Sequence, residues 1–142
     1  HPERMVDNLI SNTDGVNLFS IDEMLPAAAQ GVLGIECLDN NIKLCQILES
    51  INDTRTFLTT FTERIIAREL NADCHSPIAT LAAIENNLFK LTALVAKPNG
   101  EKIIKESISG DVNQAEQLSK NLAVRLIDRG AKKLLQSIEA ME

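Results

Sequence analysis

The side chains able to do chemistry in this chain gather around one thiol. In the stretch LNADCHSP, residues 70–77, Cys74 stands beside His75 between a helical pattern and an apolar run. A catalytic cysteine needs a base within hydrogen-bond reach and a third group to orient that base. Adjacent side chains in a loop seldom face each other, and no orienting residue offers itself near His75. A tetrahedral metal site takes three or four ligands, and the only other histidine is His1, so no metal is expected. The ordinary fate of a free cysteine is that of a small buried hydrophobe. Against that stand three local features: Cys74 follows a helix end, Asp73 and His75 keep its surroundings polar, and Pro77 stiffens the exit. Loops on rigid elements commonly hold functional groups. The residues alone leave both readings open.

Other constellations are weaker. Asp22-Glu23 and the acids of the helical segments read as solvated charge, with no histidine near them in sequence. Arg64 and Arg68, four apart on one helix, offer an anion contact, but the commoner role is local pairing with Glu63 or Glu69. QGVLG (residues 30–34) has two glycines yet leads toward a strand pattern rather than a helix start, so it is no phosphate loop.

The elements that must position Cys74 come from a chain of 142 residues, 44% hydrophobic and 24% charged, with a net charge of -6 and no Trp or Tyr. That length suits one domain, or one domain and an appendage. The acidic balance argues against nucleic acid, which is bound through basic surfaces and aromatic platforms, and against anionic membranes. No apolar run approaches the roughly 20 residues that span a bilayer. Cys37, Cys45 and Cys74 form no evident disulfide framework, which fits a reduced, cytoplasmic setting. The start at His-Pro-Glu, with neither initiator Met nor signal peptide, leads us to expect a piece of a longer chain.

Residues 1–24 read as polar and irregular. Val32–Leu38 reads as a short strand of the kind buried on both faces, without a partner nearby. Apolar positions at 42, 44, 47, 48 and 51 predict a short helix. Asp53 or Asn52 caps the next, with Phe57, Leu58, Phe61, Ile65 and Leu70 on one side. Pro77–Ile84 reads as a strand and ENN (85–87) as a turn. In LFKLTALVA (88–96), Phe89, Leu91, Ala93 and Val95 alternate onto one face. Asn99-Gly100 marks a hairpin turn, and KIIKESI (102–108) returns as a third strand. Asp111 with Gln114 resembles a capping box ahead of a stripe of Ala115, Leu118, Leu122 and Leu126. Gly130 ends that helix, and Leu134, Leu135, Ile138 and Met141 line a last one. This order predicts an α+β fold: a small three-stranded antiparallel sheet with three helices on one face, at about 52–142. Residues 1–51 are expected to be a partial segment of neighbouring α/β domains.

Two stretches then resemble a known family. ERIIARELNADCHSPIA (63–79) resembles the cofactor-attachment signature of the porphobilinogen deaminases, or hydroxymethylbilane synthases: a Glu-Arg pair, a hydrophobic residue before a small-residue turn, then Cys-x-x-Pro and an aliphatic residue. LPAAAQGVLGIEC (25–37) resembles the family's Pro-Ala-x-x-Gln-Gly-x-x-Gly-Ile-Glu segment, in the right order and spacing. Downstream, LTALVAKPNGEKIIKESISG (91–110) looks like the third-domain hairpin and AEQLSKNLAVRLIDRGAKKLL (115–135) like the closing helices. The resemblance covers about 24–141; before Met24 it thins, and whether Arg4 answers to a family arginine stays open. Ala72 and Asp73 stand where the family usually has glycines, and Ser76 where it has Val, Ile or Thr.

The resemblance implies a three-domain transferase of tetrapyrrole and haem biosynthesis. It implies that Cys74 carries a dipyrromethane primer as a thioether, and that Gln30 and Gly31 belong to the segment facing the cofactor cleft. Four porphobilinogens are joined head to tail, each losing ammonia, and hydrolysis releases hydroxymethylbilane. Deamination leaves an electron-poor pyrrole methylene, a soft electrophile that a thiolate captures well. Glu63 and Arg64 match positions expected to be structural. In the family the catalytic aspartate and most basic residues that bind the substrate's carboxylates lie in the first two domains. The expected partners are therefore porphobilinogen, the growing pyrrole chain and the missing N-terminal domains. No catalytic residue is expected in this piece, and alone it is expected to be inactive. The alternative is a non-catalytic α+β interaction or regulatory module on the same scaffold, a reading that Ala72-Asp73 keeps open.

Overall fold

A computed structural model describes residues 19–139; Arg4 and Met141, named above, lie outside them. Helix α1 (Ile42–Ile51) precedes α2 (Thr54–Glu69), then come strands β1 (Ile78–Glu85), β2 (Leu88–Ala96) and β3 (Ile103–Asp111), and finally α3 (Ala115–Asp128) and α4 (Ala131–Glu139). The sheet is antiparallel in the order β1-β2-β3.

Turn chemistry sets the sheet's register. Glu85 pairs with Leu88, so the β1–β2 hairpin turns on two residues, and Asn86 and Asn87 take φ of 45° and 70°. Positive φ at both positions is the tight hairpin geometry that asparagine tolerates. At the second hairpin Gly100 takes φ 76°, and Lys97 N–H closes the loop on the Lys102 carbonyl at 2.9 Å.

With that register, Val95 lies between Ile78 and Ile104, Leu91 between Ala82 and Ile108, and Phe89 between Ile84 and Gly110. Phe89, Leu91, Ala93 and Val95 are all fully buried, so β2 carries the centre of the core. Helix α2 packs on β1, α3 on β3 and α4 on β2. Ile66 and Leu70, then Leu122 and Leu126, then Leu134 and Leu135, bring the helical sides of that core. Burying each such side chain contributes roughly 1.5–3 kcal/mol. A Cβ on Gly110 would sit 2.9 Å from Leu118 Cδ1, so α3 approaches β3 where the side chain is missing. Buried Thr62 and Ser119 direct their hydroxyls to helix carbonyls, at 2.7 Å to Thr59 and 2.8 Å to Ala115.

Three expectations need correction. Residues 32–38 form no strand; among the described residues they pair with none, and Leu33 is 95% exposed. A strand pattern without a ladder partner leaves its N–H and C=O groups to water. Phe57 drops out of the α2 stripe at 63% exposure, stacking only on Phe61, with ring centroids 6.3 Å apart. Asp111 and Gln114 form no capping box. Asp111 caps a 3₁₀ turn (Val112–Gln114) through Asn113 N–H, and Gln114, the N-cap of α3, makes no side-chain cap bond. Asp53 does cap α2, accepting from Thr56 N–H at 2.6 Å.

Candidate functional site

The Cys74 loop begins where α2 stops. Asn71 takes φ 55°, the left-handed conformation in which helices commonly end. Its N–H bonds the Arg68 carbonyl at 3.1 Å and Ala72 N–H reaches back to Ala67 at 2.9 Å, which satisfies two otherwise free carbonyls. The chain then closes on itself around the thiol. One Asp73 carboxylate oxygen accepts from His75 N–H and Ser76 N–H, each at 2.9 Å, and from the Ser76 hydroxyl at 2.8 Å. In return Asp73 N–H donates to Ser76 Oγ at 3.0 Å. The bond from the Ser76 hydroxyl, with the backbone donors behind it, holds the Asp73 carboxyl below the usual range. Cys74 sits at the tip of this turn, exposed. Asp73 and Ser76, two of the departures from the family pattern, thus bond each other across the thiol.

The segment containing Gln30 and Gly31 is held differently. Ala27 to Gln30 form a turn, with Gln30 N–H on the Ala27 carbonyl at 3.1 Å and Gln30 Oε1 accepting from Ala27 N–H at 3.0 Å. Ala29 and Gly31 take φ of 60° and 80°; for alanine that conformation is strained, and something must hold it. Glu63 does. Its Oε2 accepts from Ala29 N–H at 2.7 Å, while Oε1 accepts from Ala82 N–H at 2.8 Å. Two residues along the same edge, Thr80 N–H donates to the Pro26 carbonyl at 2.9 Å.

β1 is an edge strand, and its outward N–H groups would otherwise lack partners. Glu63 and Pro26 supply them, tying residues 26–29 to β1. Glu63 is only 5% exposed. Burial pushes its carboxyl above the ordinary range, and the two amide bonds pull the other way. Local pairing with Arg64 is absent because Glu63 is engaged by backbone amides. Arg64 and Arg68 are exposed, without an ion pair among the described residues.

Cys74 and the Gln30–Gly31 segment therefore reach the same strand. The loop of one runs directly into β1, and the turn of the other is bonded to the middle of β1 through Glu63 and Pro26. The sequence signals were a Glu on the buried side of a helix and an Asp-x-x-Ser spacing, both open to ordinary surface readings. Among the described residues no group of three or more His, Cys, Asp or Glu could hold a metal ion, and no helix is long and apolar enough to cross a membrane.

Comparison with known proteins bears on both segments. Residues 57–128 match the sequence model of the porphobilinogen deaminase C-terminal domain. The chain is 40% identical over 121 residues to the porphobilinogen deaminase of Geobacillus sp. (strain WCH70), covering 84% of the chain and 38% of that protein. It is 37% identical over 134 residues to that of Campylobacter hominis, covering 94% and 43%, and 38% identical over 114 residues to that of Prochlorococcus marinus (strain AS9601), covering 80% and 36%. The chain thus spans about two fifths of the length of the curated relatives it matches.

Proposed function

The chain belongs to the porphobilinogen deaminase family, whose C-terminal domain it matches, and from that premise we propose that Cys74 is the attachment point of a dipyrromethane cofactor. Gln30 and Gly31 lie in the segment that faces the cofactor in this reading. The parent protein is a cytoplasmic transferase that deaminates porphobilinogen and assembles hydroxymethylbilane, in tetrapyrrole biosynthesis. Residues 52–142 are its cofactor-carrying domain and residues 1–51 the remnant of the domains before it. The exposed apolar side chains Leu33, Ile35, Leu38, Ile47 and Ile51 support that division, since they would be covered by the missing N-terminal domains.

The observation that carries the reading is the exposed thiol at the tip of a closed polar turn. The residues fit the group. The polar atoms of the loop are bonded to one another, so the Cys74 sulfur is left clear to bear a substituent. When bound, the dipyrromethane supplies the pyrrole terminus to which further units are joined. Cys74 holds it through a thioether, a bond that resists hydrolysis and so can persist over many turnovers. Asp73 and Ser76 fix the turn that presents the sulfur. Glu63 fixes the opposite segment against β1, so both sides of the attachment point are referenced to one strand.

The test is ammonia release and bilane formation from porphobilinogen by the full-length parent, by its Cys74→Ser variant, and by the 142-residue chain alone. Activity only in the unaltered parent is expected. Full activity in Cys74→Ser would overturn the assignment of the thiol, and no activity in the unaltered parent would favour the non-catalytic module. Bilane formed by the chain alone would overturn its inactivity.

A further inference from the structure

We propose that Cys37 and Cys45 are a redox-active dithiol that closes to an intramolecular disulfide. Their sulfurs lie 3.7 Å apart, and nothing in the site described above uses either. The frame between them is closely tied. Asn41 N–H bonds the Leu38 carbonyl at 3.1 Å, and Cys45 N–H bonds the Asn41 carbonyl at 2.9 Å in the first turn of α1. The Asn41 side chain caps that turn by accepting from Leu44 N–H at 3.2 Å. Cys45 Sγ in turn sits 3.7 Å from the Leu38 carbonyl and 3.9 Å from that of Asp39. The local fold therefore delivers the two thiols to each other.

A disulfide needs the sulfurs at about 2.05 Å, a further approach within the reach of side-chain rotation. In the 142-residue chain Cys37 is exposed and Cys45 half-buried, so there rotation meets little resistance and an oxidant has access. The Cys45 contact pushes the Cys37 thiol above its ordinary range, as expected of two sulfurs sharing a proton.

The oxidant is hydrogen peroxide. One thiol, as its thiolate, attacks a peroxide oxygen; the O–O bond breaks and hydroxide leaves, taking up a proton to become water. The sulfenic acid formed is then attacked by the second thiol, which gives up its proton as the S–S bond forms and the hydroxyl departs as a second water. Two S–H groups are oxidised to one disulfide, and one peroxide is reduced to two waters. The closed disulfide joins the end of segment 32–38 to α1, stiffening the path from Gly31 into the helices. Cys74 lies outside this pair, so the inference does not depend on the cofactor reading.

The experiment treats the reduced 142-residue chain with hydrogen peroxide at about one equivalent, blocks remaining thiols with iodoacetamide, and maps the peptides without reduction. The expected result is a Cys37–Cys45 cross-linked peptide, reversible by dithiothreitol, with Cys74 alkylated. Cross-linking should run about tenfold or more faster in the native chain than in concentrated urea. In Cys45→Ser, Cys37 should instead accumulate as a sulfenic acid trapped by dimedone. Equal rates in native and denatured chain, or oxidation spread over all three cysteines with no internal cross-link, would overturn the proposal.

Discussion

The Cys74 loop and the Ala27–Gly31 turn meet at β1 but are held by different kinds of bond. Asp73 closes the first on residues two and three positions away. Glu63 holds the second from 34 residues along the chain, and reaches Ala82 as well. The first turn carries its own restraint and stands at the surface, where water competes for each bond. The second borrows its restraint from the domain core, where a lost partner leaves a donor unsatisfied. On the proposed reading, a loop that presents a sulfur to a growing substituent can be built locally. A segment that must keep its place relative to that sulfur needs an anchor in the sheet.

Breaking the anchor should have the largest effect. Glu63→Ala strands the amides of Ala29 and Ala82, at a cost of about 2–4 kcal/mol, and should lower the urea midpoint of the chain accordingly. Glu63→Gln keeps one acceptor and should cost clearly less. Equal stability of all three chains would mean that the anchor is idle. Next in size is the helix end. Asn71→Ala places a Cβ-bearing residue without asparagine's local bonding at φ 55° and should cost about 1 kcal/mol, read by the same unfolding. Asn71→Gly should be neutral within a few tenths of a kcal/mol.

Asp73→Ala should leave the unfolding midpoint nearly unmoved while speeding amide exchange at His75 and Ser76. A large drop in midpoint would show that the Cys74 loop is not locally closed. The smallest signal separates the two carboxyls by pH. Asp73, lowered in the fold, should titrate below 3.8, and its contribution to stability is lost as pH falls through that folded value. Glu63, raised in the fold, should titrate above 4.5. Between 4.5 and its raised value the native state holds more protons than the unfolded one, so stability falls with rising pH there. Carboxyl NMR titration reads both, and shifts in the same direction would erase the contrast.

The same division governs what the sequence could disclose. Alternation at Phe89, Leu91, Ala93 and Val95, the ENN turn, the Asp53 cap and the stop at Gly130 are local patterns, and the sheet with its covering helices follows from them. The family motif around Cys74 is also contiguous, and the family is legible from it. Glu63 was legible as a structural position, but not its partners, because bonds to Ala29 and Ala82 depend on how α2 lies against the edge of β1. The strand pattern at 32–38 misled for the same reason, since a strand exists only with its neighbour. Periodicity places Phe57 inside, but the stripe of α2 is buried only from its second turn on, where it meets the sheet. The Asp73–Ser76 closure is local but not legible, because an Asp-x-x-Ser spacing is equally at home in a solvated loop without the bond.

The most direct measurement is the intact mass of the purified full-length parent, with peptide mapping to place any excess. The account predicts a dipyrromethane-sized increment confined to the Cys74 peptide and absent from Cys74→Ser. An active parent with an unmodified Cys74 peptide, or with the increment on Cys37 or Cys45, would contradict it.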